Sequence, residues 1–466
     1  MSSLPKPPRA PLDPGADPAA APRRWASRAR VVLGSLALWL LAGVAAAQDT
    51  RPNLLVVLLD DVGVDKLGAY GEHPDAGPTP VMDLIAERGV LFRNAWSTPV
   101  CSPARASALT GRLPRSHGVG VSITSGGGGL AASELSLAAW LGTHGYRTAA
   151  IGKWHLVSNT VPAPWMHPIT WGGFETHVGS RQNIGDYSSW ARWVVTPAGG
   201  DVAVSTTYAT TQTVDDALTA IRSFGEDPWF VWFAPHAVHE PLHDPPAHLH
   251  TGGDVSGAPA DVQYSAVLEA LDTELGRLLR SLRPAVRDRT YVVVMGDNGT
   301  YQSASTSPFG GPGNGKGTVK EGGVRVPLLV VGPDVVPGEN PALFHIVDLF
   351  PTLVELAGVP LPTDVALDGV SQARLLRAPV AGGLRDTMTT SLFKPNGFGP
   401  YTTHDQAARD ERYKLILRGG ILPPAGPPER LYDLWEDPFE QVNLLLSGPL
   451  SREQAAALAR LRAELD

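Results

Sequence analysis

Residues 54–61 read Leu54-Leu55-Val56-Val57-Leu58-Leu59-Asp60-Asp61, six apolar residues that end in two carboxylates. A continuous apolar run of this length fits a strand buried on both faces, as in a parallel sheet with helices above and below it. Further runs of the same character are Thr148–Ile151, Phe230–Phe233, Tyr291–Met295 and Leu328–Val331. Helical patterns are expected between and after them, over 81–88, 135–143, 211–223, 264–281 and 347–357. The alternation predicts an α/β chain whose large, mostly parallel central sheet is flanked by helices.

The polar residues at the ends of the runs carry the chemistry. The first run ends in Asp60-Asp61, the second in Gly152-Lys153-Trp154-His155, the third in Ala234-Pro235-His236-Ala237-Val238-His239, and the fourth in Gly296-Asp297-Asn298-Gly299. In an open α/β sheet the ligand crevice lies at the carboxyl ends of the strands. Four runs therefore deliver titratable groups to one edge. Asp60-Asp61 and Asp297-Asn298 offer hard oxygen ligands and no clustered Cys/His pattern accompanies them, which favours Ca²⁺ or Mg²⁺ over zinc.

The bulk composition bounds the rest. The chain has 466 residues, enough for a large core and two domains, and its formal net charge is −8. Residues 1–47 carry a net +4, so the remainder carries −12. That balance excludes a typical nucleic-acid binder. An anionic substrate would have to be held by local cations and a metal. At the N-terminus, a basic Pro/Ala-rich stretch ends at Arg30, an apolar run covers Val31–Leu41, and Ala45-Ala46-Ala47 comes next. This is the order of a secretory signal, placed at 1–47, with an uncleaved anchor as the rival reading. No other segment looks transmembrane, so no stable span is expected after cleavage and the mature chain is expected in the periplasm or secreted.

The chain has one cysteine, Cys101. An exported protein with one cysteine has no internal disulfide, so Cys101 is either buried and inert or no longer a thiol when mature. It lies in Cys101-Ser102-Pro103-Ala104-Arg105, with Ser107-Ala108-Leu109-Thr110-Gly111-Arg112 just beyond. Pro103 suits the first turn of a helix and Gly111 can end it. Residue 101 would then stand at a helix N-terminus, where backbone N–H groups favour an anion.

Cys-x-Pro-x-Arg resembles the signature of the sulfatase family, and the other motifs come in that family's order from about Arg51 to Leu446. The resemblance implies an alkaline-phosphatase-like fold and a sulfuric ester hydrolase, cleaving an aryl, alkyl or carbohydrate sulfate. It implies that Cys101 is oxidised to formylglycine, with the activating enzyme as a transient partner. The hydrated aldehyde has two hydroxyls on one carbon. One can attack sulfur and expel the alcohol; the second then loses a proton, the carbon–oxygen bond to sulfate breaks, and the aldehyde is restored. The family's metal site corresponds to Asp60, Asp61, residue 101, Asp297 and Asn298, with Ca²⁺ ahead of Mg²⁺. Arg105, Lys153 and Lys316 correspond to cations around the sulfate, with Lys320 as the competitor for Lys316. His239 corresponds to the acid that protonates the leaving alcohol, and His155 to the group that helps deprotonate the diol. His236 could share or exchange a role with His239. The stretch Val238-His239-Glu240-Pro241-Leu242 resembles arylsulfatase B-like members, a pointer to a sulfated sugar.

The runner-up function is a formylglycine-dependent phosphodiester or phosphonate monoester hydrolase, since related enzymes share the cysteine motif. The second alternative is a non-catalytic sulfoglycan-binding protein whose Cys101 stays a thiol. The catalytic domain is placed at 48–375. Residues 376–466 are expected to form a smaller antiparallel sheet-plus-helix domain, from the strand-like pieces 387–393 and 413–417, the stretch Leu431-Tyr432-Asp433-Leu434 and a closing helix over 452–465. Trp165, Trp171, Trp190 and Trp193 could line a substrate-facing lid or simply pack a long loop. Gly126–Gly129 lacks the Lys-Ser/Thr of a P-loop. His243, His248 and His250 read as loop surface.

Overall fold

The computed structural model describes residues 49–466 except 75, 124–128, 158–166, 185–188, 198–201, 307, 308, 310–312, 380, 381 and 425. The segment expected to be a secretory signal, Trp165 and Gly126–Gly128 lie outside the described residues. The strands in chain order are β1 (Asn53–Leu59), β2 (Val90–Trp96), β3 (Arg147–Lys153), β4 (Thr176–Ser180), β5 (Trp193–Val195), β6 (Ala203–Ser205), β7 (Trp229–Ala234), β8 (Thr290–Gly296), β9 (Leu328–Val331), β10 (Gly338–His345), β11 (Met388–Lys394), β12 (Thr403–Arg409), β13 (Tyr413–Gly419) and β14 (Glu429–Asp433).

Eight strands form the central sheet in the order β10-β2-β9-β8-β1-β7-β3-β4. All neighbours pair in parallel except β9, which runs against both β2 and β8. The expected mostly parallel sheet is therefore present. All seven residues of β1 are buried, which explains its apolar continuity. Leu54, Val56 and Leu58 face helices Cys101–Thr110, Leu137–Thr143 and Leu349–Leu356. Leu55, Val57 and Leu59 face helices Pro80–Arg88, Ala209–Ser223 and Ala260–Ser281. Each such side chain contributes about 1.5–3 kcal/mol on burial.

The second sheet is antiparallel, in the order β11-β12-β13-β14. One face receives Ala457, Leu458 and Leu461 of helix Arg452–Ala463. The other packs Met388, Ala407, Ile416 and Tyr432 against Trp96, Val319, Val324 and Leu343. The closing helix starts in a reciprocal cap: Gln454 N–H donates to Ser451 Oγ, and Ser451 N–H donates to Gln454 Oε1. Among the described residues no helix is long and apolar enough to cross a membrane.

Strand order explains the site. β8, β1, β7 and β3 are consecutive neighbours and all parallel, so their four polar endings emerge side by side at one edge. Gly152 permits the close packing of β3 there. Its φ is +97°, and a Cβ would stand 2.1 Å from the Ala234 carbonyl oxygen.

Candidate active site

Cys101 is the first residue of a ten-residue helix whose members are all buried. Pro103 lies in its first turn and Gly111 ends it at φ +67°, donating its N–H to Ser107 O. The Cys101 Sγ lies 3.6 Å from Asp60 Oδ1 and 3.8 Å from Asp61 Oδ1. Burial pushes its thiol up to about 12, so as a thiol it stays protonated near neutral pH and is a poor nucleophile.

Three carboxylates face three cations. Lys153 Nζ donates to Asp60 Oδ2 at 2.6 Å, and Lys316 Nζ to Asp61 Oδ2 at 2.7 Å. Arg105 Nη2 donates to Asp297 Oδ2 at 3.0 Å and lies 3.7 Å from Asp60 Oδ2, while Nη1 donates to Lys153 O. Burial alone would raise Asp60, but Lys153, His239 and Arg105 hold its carboxyl well below the usual range. Asp61 is lowered too: burial opposes ionisation, and Lys316 and His239 overcome it. Burial and the Asp60 charge push Asp297 upward. Burial pulls Lys316 down, and Asp61 outweighs it, leaving the ammonium well above its ordinary value.

This donor set fits a hard divalent cation. One ligand atom each from Asp60, Asp61, Cys101 and Asp297 lie within 4.8 Å of one another. Asn298 donates Nδ2 to Asp61 Oδ1, yet its buried Oδ1 has no hydrogen-bond partner. Three buried carboxylates and an orphaned amide oxygen are oxygen-ligand chemistry.

The histidines divide clearly. His239 Nδ1 is 2.8 Å from Glu240 O, which turns Nε2 toward Asp61 Oδ2 at 3.9 Å. Its side chain keeps 17% exposure, next to the 0–1% of the three carboxylates and Lys153. Burial and Lys153 lower its pKa. His155 is buried at φ +59°, with Nδ1 unpartnered, and burial with Lys153 holds it well below its ordinary value. Asp61 shares the left-handed backbone, at φ +64°. A non-glycine residue rarely holds this conformation, and two do so in the site. His236 instead pairs Nε2 with Ser180 Oγ and meets Trp193 edge-on, so it sits behind the site.

The structure thus brings together all ten expected residues: Asp60, Asp61, Cys101, Arg105, Lys153, His155, His239, Asp297, Asn298 and Lys316. Arg105, like Lys153 and Lys316, engages carboxylates, and it bridges two of them, Asp60 and Asp297. Lys320 donates to Asn314 Oδ1, away from the carboxylates. Trp171, Trp190 and Trp193 are at most 7% exposed and pack the loop rather than line an open lid. Of the three loop histidines, His248 is exposed, His243 is half-buried and His250 is buried.

A family model described as Sulfatase matches residues 52–359. Arylsulfatase A of Homo sapiens is 30% identical over 93% of this chain and 91% of its own length. N-acetylgalactosamine-6-sulfatase of Homo sapiens is 31% identical over 74% of this chain and 70% of its own. Among solved structures, Ps i-CgsB superposes with a TM-score of 0.75 at 23% identity, covering 89% of this chain and 92% of that one. BT4656, solved with its substrate D-glucosamine-2-N,6-O-disulfate, gives 0.70 at 19% identity over 89% and 97%. The structural matches share the fold, and the family model and the sequence relatives span the site, so the chain belongs to the sulfatase family of enzymes.

Proposed function

We propose that this sulfatase acts through residue 101 as formylglycine, with Ca²⁺ at the carboxylate cluster, on a carbohydrate or aryl sulfate ester. The observation that carries the reading is the burial of Cys101 at a helix N-terminus, against two carboxylates that are themselves paired with cations. Asp60, Asp61, Asp297 and Asn298 would hold the divalent cation, which supplies Lewis-acid stabilisation of developing negative charge. Formylglycine supplies an aldehyde whose hydrate carries both the attacking hydroxyl and the means of releasing sulfate.

The remaining work falls to this chain's own side chains. Lys153 and Lys316 each use an N–H on a carboxylate and keep further donors for sulfate oxygens. Arg105 bridges Asp60 and Asp297 and holds them in place. His239, with Nδ1 on Glu240 O, presents Nε2 to pass a proton to the departing oxygen. His155, with Nδ1 unpartnered, is proposed as the group that takes the diol proton. The pointer to carbohydrate sulfates comes from the relatives that act on sulfated sugars, including N-acetylgalactosamine-6-sulfatase and BT4656. Residues 1–47 are proposed as the export signal, giving a periplasmic or secreted enzyme.

The test has two parts. The tryptic peptide Asn94–Arg105, from protein made in its native host, should carry a hydrazide-reactive aldehyde. The same preparation should turn over an aryl sulfate with a higher kcat/KM than the matching aryl phosphodiester. A preference for the diester by orders of magnitude would replace the sulfatase reading. A plain cysteine with ligand binding and no turnover would favour the binding-protein reading.

A further inference from the structure

The loop carrying His239 is fixed unequally at its two ends. Upstream, Val238 N–H donates to Asp60 O and His239 N–H donates to His236 O, so the metal-binding strand itself holds that side. Downstream, the chain runs through exposed Glu240 and Pro241. There Trp190 Nε1 donates to Pro241 O at 2.7 Å. The Trp190 ring stacks on His243, with centroids 4.5 Å apart and planes 19° apart. Tyr208 Oη pairs with His243 Nε2 at 2.9 Å, and His243 Nδ1 is 3.4 Å from the same Pro241 oxygen. Trp190 is only 3% exposed, so this anchor is a preformed part of the body.

The anchored peptide matters for chemistry. Glu240 O sets the His239 ring by taking Nδ1, and the next carbonyl, that of Pro241, is the one that Trp190 grips. We propose that Trp190, seconded by His243 and Tyr208, is a positioning residue for His239: by holding the Pro241-Leu242 peptide it fixes the adjoining Glu240 carbonyl, so that Nε2 stays aimed at the departing oxygen. The inference rests on the reading of His239 as the proton donor to the leaving group. An aim that depends on one carbonyl is sensitive to the loss of one hydrogen bond, because proton transfer demands hydrogen-bond geometry.

The consequence is selective. An activated phenol leaves without help, whereas a poor leaving group needs its proton. Trp190→Phe keeps an aromatic ring beside His243 and removes the Nε1 donor together with part of the buried indole. Its kcat should fall about tenfold on the sulfate of the least acidic phenol or alcohol in a graded series, and less than about threefold on the most activated aryl sulfate. KM should stay near wild type throughout. Tyr208→Phe, which removes one hydroxyl, should show the same slope with smaller amplitude.

His239→Ala, measured on the same series, separates the two ideas. It should lose activity most steeply as the leaving group worsens. If its loss is flat across the series, the proton-donor reading of His239 fails, and the positioning inference falls with it. If His239→Ala is steep while Trp190→Phe and Tyr208→Phe are flat, with a lowered melting temperature, Trp190 merely packs the loop and the inference alone is overturned. Should Trp190→Phe fail to fold, the slope of Tyr208→Phe decides.

Discussion

Lys414 Nζ, on the second sheet, lies 3.0 Å from Glu321 Oε1 and 2.9 Å from Glu440 Oε1. Glu321 opens the turn downstream of Lys316 in the chain, and its other oxygen takes Arg409 Nη1. Trp96 Nε1 donates to Glu321 as well, and the Lys414 ammonium sits 4.7 Å from the Trp96 ring centre. A buried ionic knot therefore ties the small sheet to the segment behind the site.

Breaking that knot on one side should be costly. Lys414→Met leaves Glu440 with the Glu321 N–H, and Glu321 with Arg409 and Trp96. An uncompensated buried carboxylate typically destabilises by about 3–5 kcal/mol. Urea unfolding of the variant should show that loss as a lowered midpoint with an unchanged slope. A change within about 0.5 kcal/mol would mean that the knot contributes no net stability.

Cys101→Ala should remove activity while leaving the fold. The loss in kcat/KM should reach about a thousandfold or more if residue 101 supplies the nucleophile. The missing sulfur leaves a small cavity, worth about 1 kcal/mol. A melting temperature within a few degrees of wild type, with turnover gone, is the expected pair of results. Turnover near wild type would assign the attack elsewhere.

Calcium should stabilise the protein through Asp60, Asp61, Asp297 and Asn298. After chelation and dialysis, calcium restored to a hundredfold its Kd should raise the unfolding free energy by about 2.7 kcal/mol. Asp297→Asn should weaken that response, because one of three carboxylates is lost. A larger response to Mg²⁺ than to Ca²⁺ at equal concentration would exchange the ion. No response to either would remove the cluster as a resident metal site.

Buried histidines make the fold acid-sensitive. His117 Nδ1 accepts the Val119 N–H and Nε2 pairs with Ser107 Oγ, and burial lowers its pKa from 6.5 to about 3. His177 and His236 are lowered to about 3 as well, by burial first. Between these values the unfolded chain binds more protons than the folded one. Stability is therefore fully present above pH 6.5 and is lost as pH falls toward 3, by up to about 1.4 kcal/mol per pH unit for each group. His117→Gln should reduce the slope of stability against pH in that window by about one group's share. An identical slope in wild type and variant would exclude His117 as a contributor.

The sequence made the centre of the sheet and most of the site readable, for one reason. β1, β7 and β8 are buried on both faces and almost uniformly apolar, the centre of β3 is apolar as well, and each run stops abruptly at a polar cluster. β2 escaped because Arg93 and Asn94 interrupt it. In the structure they turn to the sheet's outer strand, where Arg93 pairs with Glu339 and Asn94 donates to Pro341 O. β10 is that outer strand, and Glu339, Asn340 and Pro341 hide it among loops. In the site, residue types were readable and orientations were not. Nothing in the order of residues says that Asp61 and His155 adopt left-handed backbone, or that Arg105 turns to carboxylates. The grip of Trp190 on Pro241 spans 51 positions of chain, a contact that local pattern does not encode.

The complete burial of the Cys101–Thr110 helix has a consequence in time. Residue 101 is 1% exposed and opens a helix with no exposed member. A second protein cannot bring its own active site to a side chain sealed in this way. Any enzyme that rewrites Cys101 must act on the chain before the sheet closes over it, in competition with folding. On the proposed formylglycine reading, a molecule that wins the race to fold while still carrying its thiol is correctly shaped and permanently idle. Two populations with the same sequence and the same architecture can thus differ in activity, according only to the order of two events early in their lives.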